Sequence, residues 1–190
     1  MIKVAIVEDI REIRESLALI INDADGFETS GIYATAEEAI EKLPSTPPNV
    51  ILMDINLPLK SGIECTLILK PLLPATQIIM LTMYDDNDTV FEALSAGATG
   101  YLLKRTPAPK ILEAIQEVHA GGSPMSMQIA RLVVKSFSVK KKENELREKL
   151  SVREREILDY LSRGKRYKEI ADELFISVET VRSHCRKIYE

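Results

Sequence analysis

The stretch "VILMDINLP", Val50–Pro58, decides the fold. Val50–Met53 are uninterruptedly apolar, the pattern of a strand buried on both faces of a parallel sheet. Asp54 then puts an ionisable group at the strand's end, and Leu57-Pro58 breaks the strand and turns the chain away. In open α/β sheets ligands bind outside the carboxyl ends of the strands. A carboxylate at that point marks where chemistry is to be sought.

Working outward, apolar runs of strand length alternate with helix-period segments over the first 120 or so residues. Ile2–Val7, Phe27–Ala34, Asn49–Asp54, Gln77–Thr82 and the "GATGYLLK" stretch read as strands. Between them, Ile13, Leu17, Ile20 and Ile21 recur at helical spacing, and Thr35 with Glu38 forms a capping-box pattern. A short helix is expected after Ser61-Gly62, another over Asn87–Ala96, and a last one from Thr106-Pro107 with Ile111, Ala114, Ile115 and Val118 on one face. The alternation predicts a doubly wound (βα)5 parallel sheet covered by helices on both faces.

"AGGSP" at Ala120–Pro124 punctuates this domain, expected over 1–122. A helical linker is expected over 123–149, ending in the charged connector "KKKENELREK". From 150 the pattern is all-helical. Ser151 and Glu154 form a second capping box, Gly164 ends that helix, and a short helix spans Lys168–Leu174. "FIS" then turns the chain into a final helix capped by Ser177, a helix-turn-helix pattern. Val178, Val181, Cys185 and Ile188 mark its inward face.

The chain has 190 residues and 45% hydrophobic content, enough for one ordinary domain and a small one. No apolar run reaches bilayer length, and "MIKVAIVED" lacks the flank and cleavage pattern of a signal peptide, so a cytoplasmic location without membrane contact is expected. The two cysteines, Cys65 and Cys185, lack metal-ligand spacing and are expected as reduced thiols. Charge is uneven. Residues 1–139 hold 11 basic and 18 acidic side chains, whereas 140–190 hold 14 and 11. A basic back half is the half to meet a polyanion.

Glu8 and Asp9 follow the first strand and Asp54 ends the third. Neighbouring strands would bring these carboxylates together, and their repulsion calls for a cation. A site of few oxygen ligands with room for water suits Mg2+. Thr82 ends the fourth strand with a hydroxyl and Lys104 ends the fifth with an ammonium. Such a set would bind and compensate a phosphoryl group. Taken singly, an acid after a strand is usually a solvated turn and a lysine is usually surface; the set at four strand ends is what carries the reading.

These residues closely resemble the receiver domain of bacterial two-component response regulators, through Glu8-Asp9, "MDINLP", "LTMY" and "GYLLK". The resemblance implies that Asp54 accepts phosphate from the phosphohistidine of a sensor histidine kinase. It implies that Glu8, Asp9, Asp54 and the backbone carbonyl of Asn56 hold Mg2+. It further implies that Lys104 pairs with the phosphoryl oxygens, Thr82 hydrogen-bonds them and Tyr101 swings inward behind. Arg105 stands where many receivers have proline.

"LSVREREIL", "KEIADEL" and "ISVETVRSH" closely resemble the DNA-binding domain of the LuxR/FixJ/NarL class. By position, Arg182, Ser183 and Arg186 match the sites that read the major groove, where arginine suits guanine. Lys168, Thr180, His184 and Lys187 match backbone contacts, with a structural role the alternative for His184. Arg166-Tyr167 replaces the usual small cap and asparagine, which puts that helix's cap in doubt. The resemblance also leads one to expect a further, dimerising helix after Glu190, without which DNA binding would be weak. The implied function is a transcription regulator whose phosphorylation on Asp54 promotes homodimerisation and binding to double-stranded DNA, and which is not an enzyme beyond slow self-dephosphorylation.

Two other classes compete. A phosphatase of the haloacid-dehalogenase type also uses a strand-end aspartyl phosphate, but needs a second aspartate two residues on, where this chain has Asn56. A pure interaction module acting through the first domain is the third reading.

Overall fold

The computed structural model describes residues 1–83, 87–135 and 151–189. The expected connector "KKKENELREK" lies outside the described residues. The chain forms two compact units, Met1–Ser136 and Phe137–Glu190.

The first unit runs β1 (Ile2–Val7), α1 (Arg11–Asn22), β2 (Phe27–Tyr33), α2 (Ala36–Lys42), β3 (Val50–Asp54), α3 (Gly62–Leu72), β4 (Gln77–Thr82), α4 (Asn87–Ser95), β5 (Gly100–Leu103) and α5 (Ala108–His119). A further helix, α6, is described over 127–135. The strands form one sheet in the order β2-β1-β3-β4-β5, all parallel. All five residues of β3 are buried because it is the middle strand, covered on both faces. Burying a side chain of this size contributes roughly 1.5–3 kcal/mol. One face packs Val4, Ile6, Leu52 and Leu81 against Leu17 and Ile21 of α1 and Ile111, Ile115 and Val118 of α5. The other packs Val7, Ile51, Met53 and Met80 with α2, α3 and α4.

Capping follows the sequence with one adjustment. The Thr35 hydroxyl accepts from Glu38 N–H at 3.2 Å, while the Glu38 carboxylate reaches Ala34 N–H rather than that of Thr35. Ser61 and Glu64 form a complete box at the start of α3. Residues 123–135, expected as linker, lie within the first unit: Ile129 is fully buried in its core, and Met125, Leu132 and Val133 pack against it.

The second unit contains α7 (Val152–Ser162), α8 (Tyr167–Glu173) and α9 (Val178–Tyr189) around Ile157, Ile170, Ala171, Val181 and Cys185. Val178 and Ile188 are partly buried against the same core. Ser151 and Glu154 cap α7 reciprocally, and Gly164 leaves it at φ 73°, a left-handed turn that glycine adopts without strain. Arg166 supplies no acceptor for α8. Instead Glu169 reaches back, taking the Arg166 N–H at 2.8 Å and its guanidinium Nη2 at 2.8 Å. Arg153 Nη2 donates to the Leu174 carbonyl at 2.6 Å, tying α7 to the end of α8. Both cysteines are free and buried, and burial pushes the Cys65 thiol up to about 12.

Candidate functional site

The strand order places Glu8, Asp54, Thr82 and Lys104 on four successive strands at one sheet edge. The register pairs Val7 with Met53, Asp54 with Leu81, and Thr82 with Leu103, so all four residues emerge at similar depth. Lys104 N–H donates to the Thr82 carbonyl at 2.7 Å, fixing the turn after β5. Its Nζ lies 2.8 Å from Glu8 Oε1, 2.7 Å from Glu8 Oε2 and 3.0 Å from Asp54 Oδ2. The three side chains are 7%, 1% and 3% exposed respectively, so the contact is dry.

Burial pushes the Glu8 carboxyl above its usual range, assisted by the Asp54 charge and opposed by the hydrogen bond from Lys104. Burial disfavours the Lys104 ammonium, but hydrogen bonds to Glu8 and Asp54 together with their charges outweigh it, and its pKa is raised. Asp54 Oδ1 is buried and accepts no hydrogen bond. Such an atom is costly without a partner. Glu8, exposed Asp9 and Asp54 each offer a carboxylate oxygen, all within 4.8 Å of one another. The residues therefore fit a small divalent cation with open positions for water. Asn56 lies two residues past Asp54 and is exposed. Thr82 and Tyr101 are fully buried, so the ring expected to swing inward is already inside.

Two positioning residues were not foreseen from sequence. Arg14, on α1, donates from Nη1 to the carbonyls of Glu8 at 2.5 Å and Asp9 at 3.1 Å. It pins the loop that carries both acids. Gly62, first in α3, lies so close to the end of β3 that a Cβ there would sit 1.8 Å from the Asp54 carbonyl oxygen. An arginine on an amphipathic helix reads as solvated, and the glycine's closeness to Asp54 exists only in the fold; neither carried a sequence signal beyond the Ser61-Gly62 helix start.

On α9, Arg182, Ser183, Arg186 and Lys187 are exposed, as is Lys168 on α8. Arg182 pairs with Glu179 at 3.2 Å on the helix surface. Thr180 is engaged with Ser177, its N–H donating to Ser177 Oγ at 3.0 Å and its hydroxyl 2.8 Å away. His184 differs from the others. Its Nδ1 is buried, has no hydrogen bond and lies 3.8 Å from Glu154 Oε1, the carboxylate that caps α7.

A doubly wound sheet with this acid–lysine edge, joined to a helix-turn-helix unit, defines a receiver domain with a helical output domain. Residues 4–116 match the family described as response regulator receiver domain, and 148–190 match bacterial regulatory proteins of the luxR family. The chain belongs to the receiver-domain response regulators of the luxR family. It is 34% identical to the transcriptional regulatory protein LnrK of Bacillus subtilis, over 99% of this chain and 89% of that one. It is also 34% identical to the oxygen regulatory protein NreC of Staphylococcus haemolyticus, over 96% and 87%. A LuxR-family response regulator from Aurantimonas sp. superposes with a TM-score of 0.68 at 28% identity, covering 73% of this chain and 99% of that one. The RcsB response regulator of Salmonella typhimurium shares the fold, with a TM-score of 0.71 at 21% identity over 99% of this chain and 91% of that one. The family regulates transcription and is not an enzyme family in the ordinary sense.

Proposed function

We propose that Asp54 is the phosphoacceptor for a sensor histidine kinase. The observation that supports it is the Lys104 ammonium held between Glu8 and Asp54 at the carboxyl end of β3, beside a buried Asp54 Oδ1 with no hydrogen bond. An Asp54 carboxylate oxygen attacks the phosphorus of the kinase's phosphohistidine. The P–O bond forms as the P–N bond breaks, and the imidazole nitrogen keeps the electron pair. Lys104 then shifts its contacts toward the phosphoryl oxygens, and the Thr82 hydroxyl donates to them from the neighbouring strand. Tyr101, already buried, fills the space behind Thr82.

Glu8, Asp9 and Asp54, with the Asn56 carbonyl, would hold Mg2+. When bound, it supplies charge neutralisation at the phosphoryl oxygens. Asn56 leaves the site without a second aspartate as general acid, which favours a long-lived acyl phosphate over hydrolysis.

Phosphorylation promotes homodimerisation and binding to double-stranded DNA through α9. Arg182, Ser183 and Arg186 face outward to read base edges. Lys168, Lys187 and Thr180 position on phosphates, and His184 contributes chiefly through Glu154. No helix among the described residues is long and apolar enough to cross a membrane. A bacterial regulator that binds DNA acts in the cytoplasm. The receiver is taken to span 1–122 together with the segment through 135 that packs into its core, and the DNA-binding domain to begin at 150. Acetyl phosphate labelling of the chain and of Asp54→Ala tests the chemistry. Labelling is expected to vanish in the variant, and undiminished labelling would remove Asp54 from the role.

A further inference from the structure

The edge strand β5 has a cover that the βα units do not supply. An edge strand leaves a row of backbone groups unpaired. Here Tyr101 N–H donates to the Pro124 carbonyl at 2.9 Å, and Tyr101 pairs with Met125 in a parallel bridge. Gly100 makes room for this crossing, since a Cβ there would lie 3.0 Å from Pro124 Cγ. Ile129 of α6 is then fully buried in the same core as Tyr101. Past the strand's other end, Arg105 Nη2 donates to Gln128 Oε1 at 3.2 Å. Residues 124–133 thus touch the chain at Tyr101 and again at Arg105, on either side of Lys104.

We propose that residues 124–133 are a positioning strap for β5. Pro124, Gln128 and Ile129 hold Tyr101 and Lys104 in their buried arrangement, so that seating of the strap and phosphorylation of Asp54 favour each other. The inference rests on the reading of Asp54 as phosphoacceptor. The strap is seated by the backbone pairing at Tyr101, the exposed Arg105–Gln128 bond and the burial of Ile129 with Met125, Leu132 and Val133 against it. It lies at the sheet's edge, where partial opening costs less than opening the central strands. With the strap unseated, β5 loses its edge partner at Tyr101, the core shared with Tyr101 loses Ile129, and the Lys104 turn loses its tie through Arg105. The phosphoryl-binding arrangement is then complete only in the seated state, and a ligand favours whichever state it binds better. Such coupling is reciprocal: what phosphorylation does to the strap, the strap does to affinity at Asp54. In sequence the strap leads toward the DNA-binding domain, so its seating is a message the receiver can send along the chain.

The test is amide hydrogen exchange of the full chain with and without beryllofluoride and Mg2+, the fluoride complex mimicking an acyl phosphate. Exchange over 125–133 is expected to slow by about tenfold, and Ile129→Ala to weaken beryllofluoride binding by a similar factor. Gln128→Ala, which alters only an exposed side chain, is expected to shift both in the same direction by less. If Ile129→Ala does not fold, the wild-type exchange and Gln128→Ala decide. Unchanged or faster exchange on binding, or undiminished affinity in a folded Ile129→Ala, overturns the strap. Acetyl phosphate incorporation at Asp54 is measured alongside. Incorporation with unchanged exchange overturns the strap alone, whereas no incorporation overturns the phosphoacceptor reading and the strap with it.

Discussion

Lys104 Nζ lies 3.0 Å from Asp54 Oδ2, and the two side chains are 7% and 3% exposed. The ammonium comes from the turn after β5 and the carboxylate from the end of β3, with β4 between them. It also neutralises Glu8. Removing it leaves two buried carboxylates without their counter-charge. Breaking one partner out of a buried ion pair costs about 3–5 kcal/mol. Lys104→Met is therefore expected to lose stability of that order at neutral pH, with part regained on adding Mg2+. Denaturant titration with and without the cation checks both.

The raised Glu8 carboxyl gives a pH signature. Above the ordinary carboxylate range the folded chain holds a proton there that the unfolded chain has released. Stability from this group therefore falls as pH rises through the window between the two values. Glu8→Gln, neutral throughout, removes that slope. In chelator, the stability of Glu8→Gln relative to wild type is expected to improve as pH rises from about 4.5 and to level off above the raised folded value. A difference that stays flat with pH would show that Glu8 ionises in the folded chain as it does in the unfolded one.

Arg14 is expected to act on metal affinity through the loop it pins. Loss of groups that orient metal ligands typically costs 10–100-fold in affinity. Arg14→Ala should weaken Mg2+ binding, measured by calorimetric titration, by about tenfold or more. Arg14→Lys, keeping a donor, should recover part. Equal Mg2+ affinity in wild type and Arg14→Ala would reduce Arg14 to a helix contact.

Gly62→Ala reverses a usual sign. In a helix, alanine is normally favoured over glycine by about 0.5–1 kcal/mol. Here the new Cβ would fall 1.8 Å from the Asp54 carbonyl, so α3 or the end of β3 must move. The substitution is expected to lower the melting temperature and slow acetyl phosphate labelling together.

On α9 the exposed and half-buried candidates should separate. Arg186→Ala should lose preference among DNA sequences, at about 1–3 kcal/mol for a specific contact. Lys187→Ala should weaken all sequences alike and reduce the salt dependence by about one phosphate. His184→Ala should chiefly lower the stability of the second unit, because its ring faces Glu154. Binding isotherms at several salt concentrations, with thermal melts, distinguish the three.

The alternation of strands and helices through α5 is written in the chain, because burial of strands on both faces leaves apolar runs such as Val50–Met53. The strand-end positions of Glu8, Asp54, Thr82 and Lys104 were legible too, since they fall at the one edge where such a sheet binds ligands, and the structure brings Glu8, Asp54 and Lys104 into contact there. The capping box at Ser151 was legible because it depends on residues three apart. Contacts between residues far apart, or alike in type, became visible only in the folded chain. The charged Arg166 in place of a cap hid the reach of Glu169, and His184 looked like any other recognition-helix polar residue until α7 was beside it. The strap is the largest such case. A glycine- and proline-bearing stretch after α5 reads as a domain boundary, because composition reports local breaks in helix. That Pro124 instead seats on Gly100, and Ile129 enters the core that holds Tyr101, depends on the open edge of β5, and an edge exists only once the strands have been ordered in space.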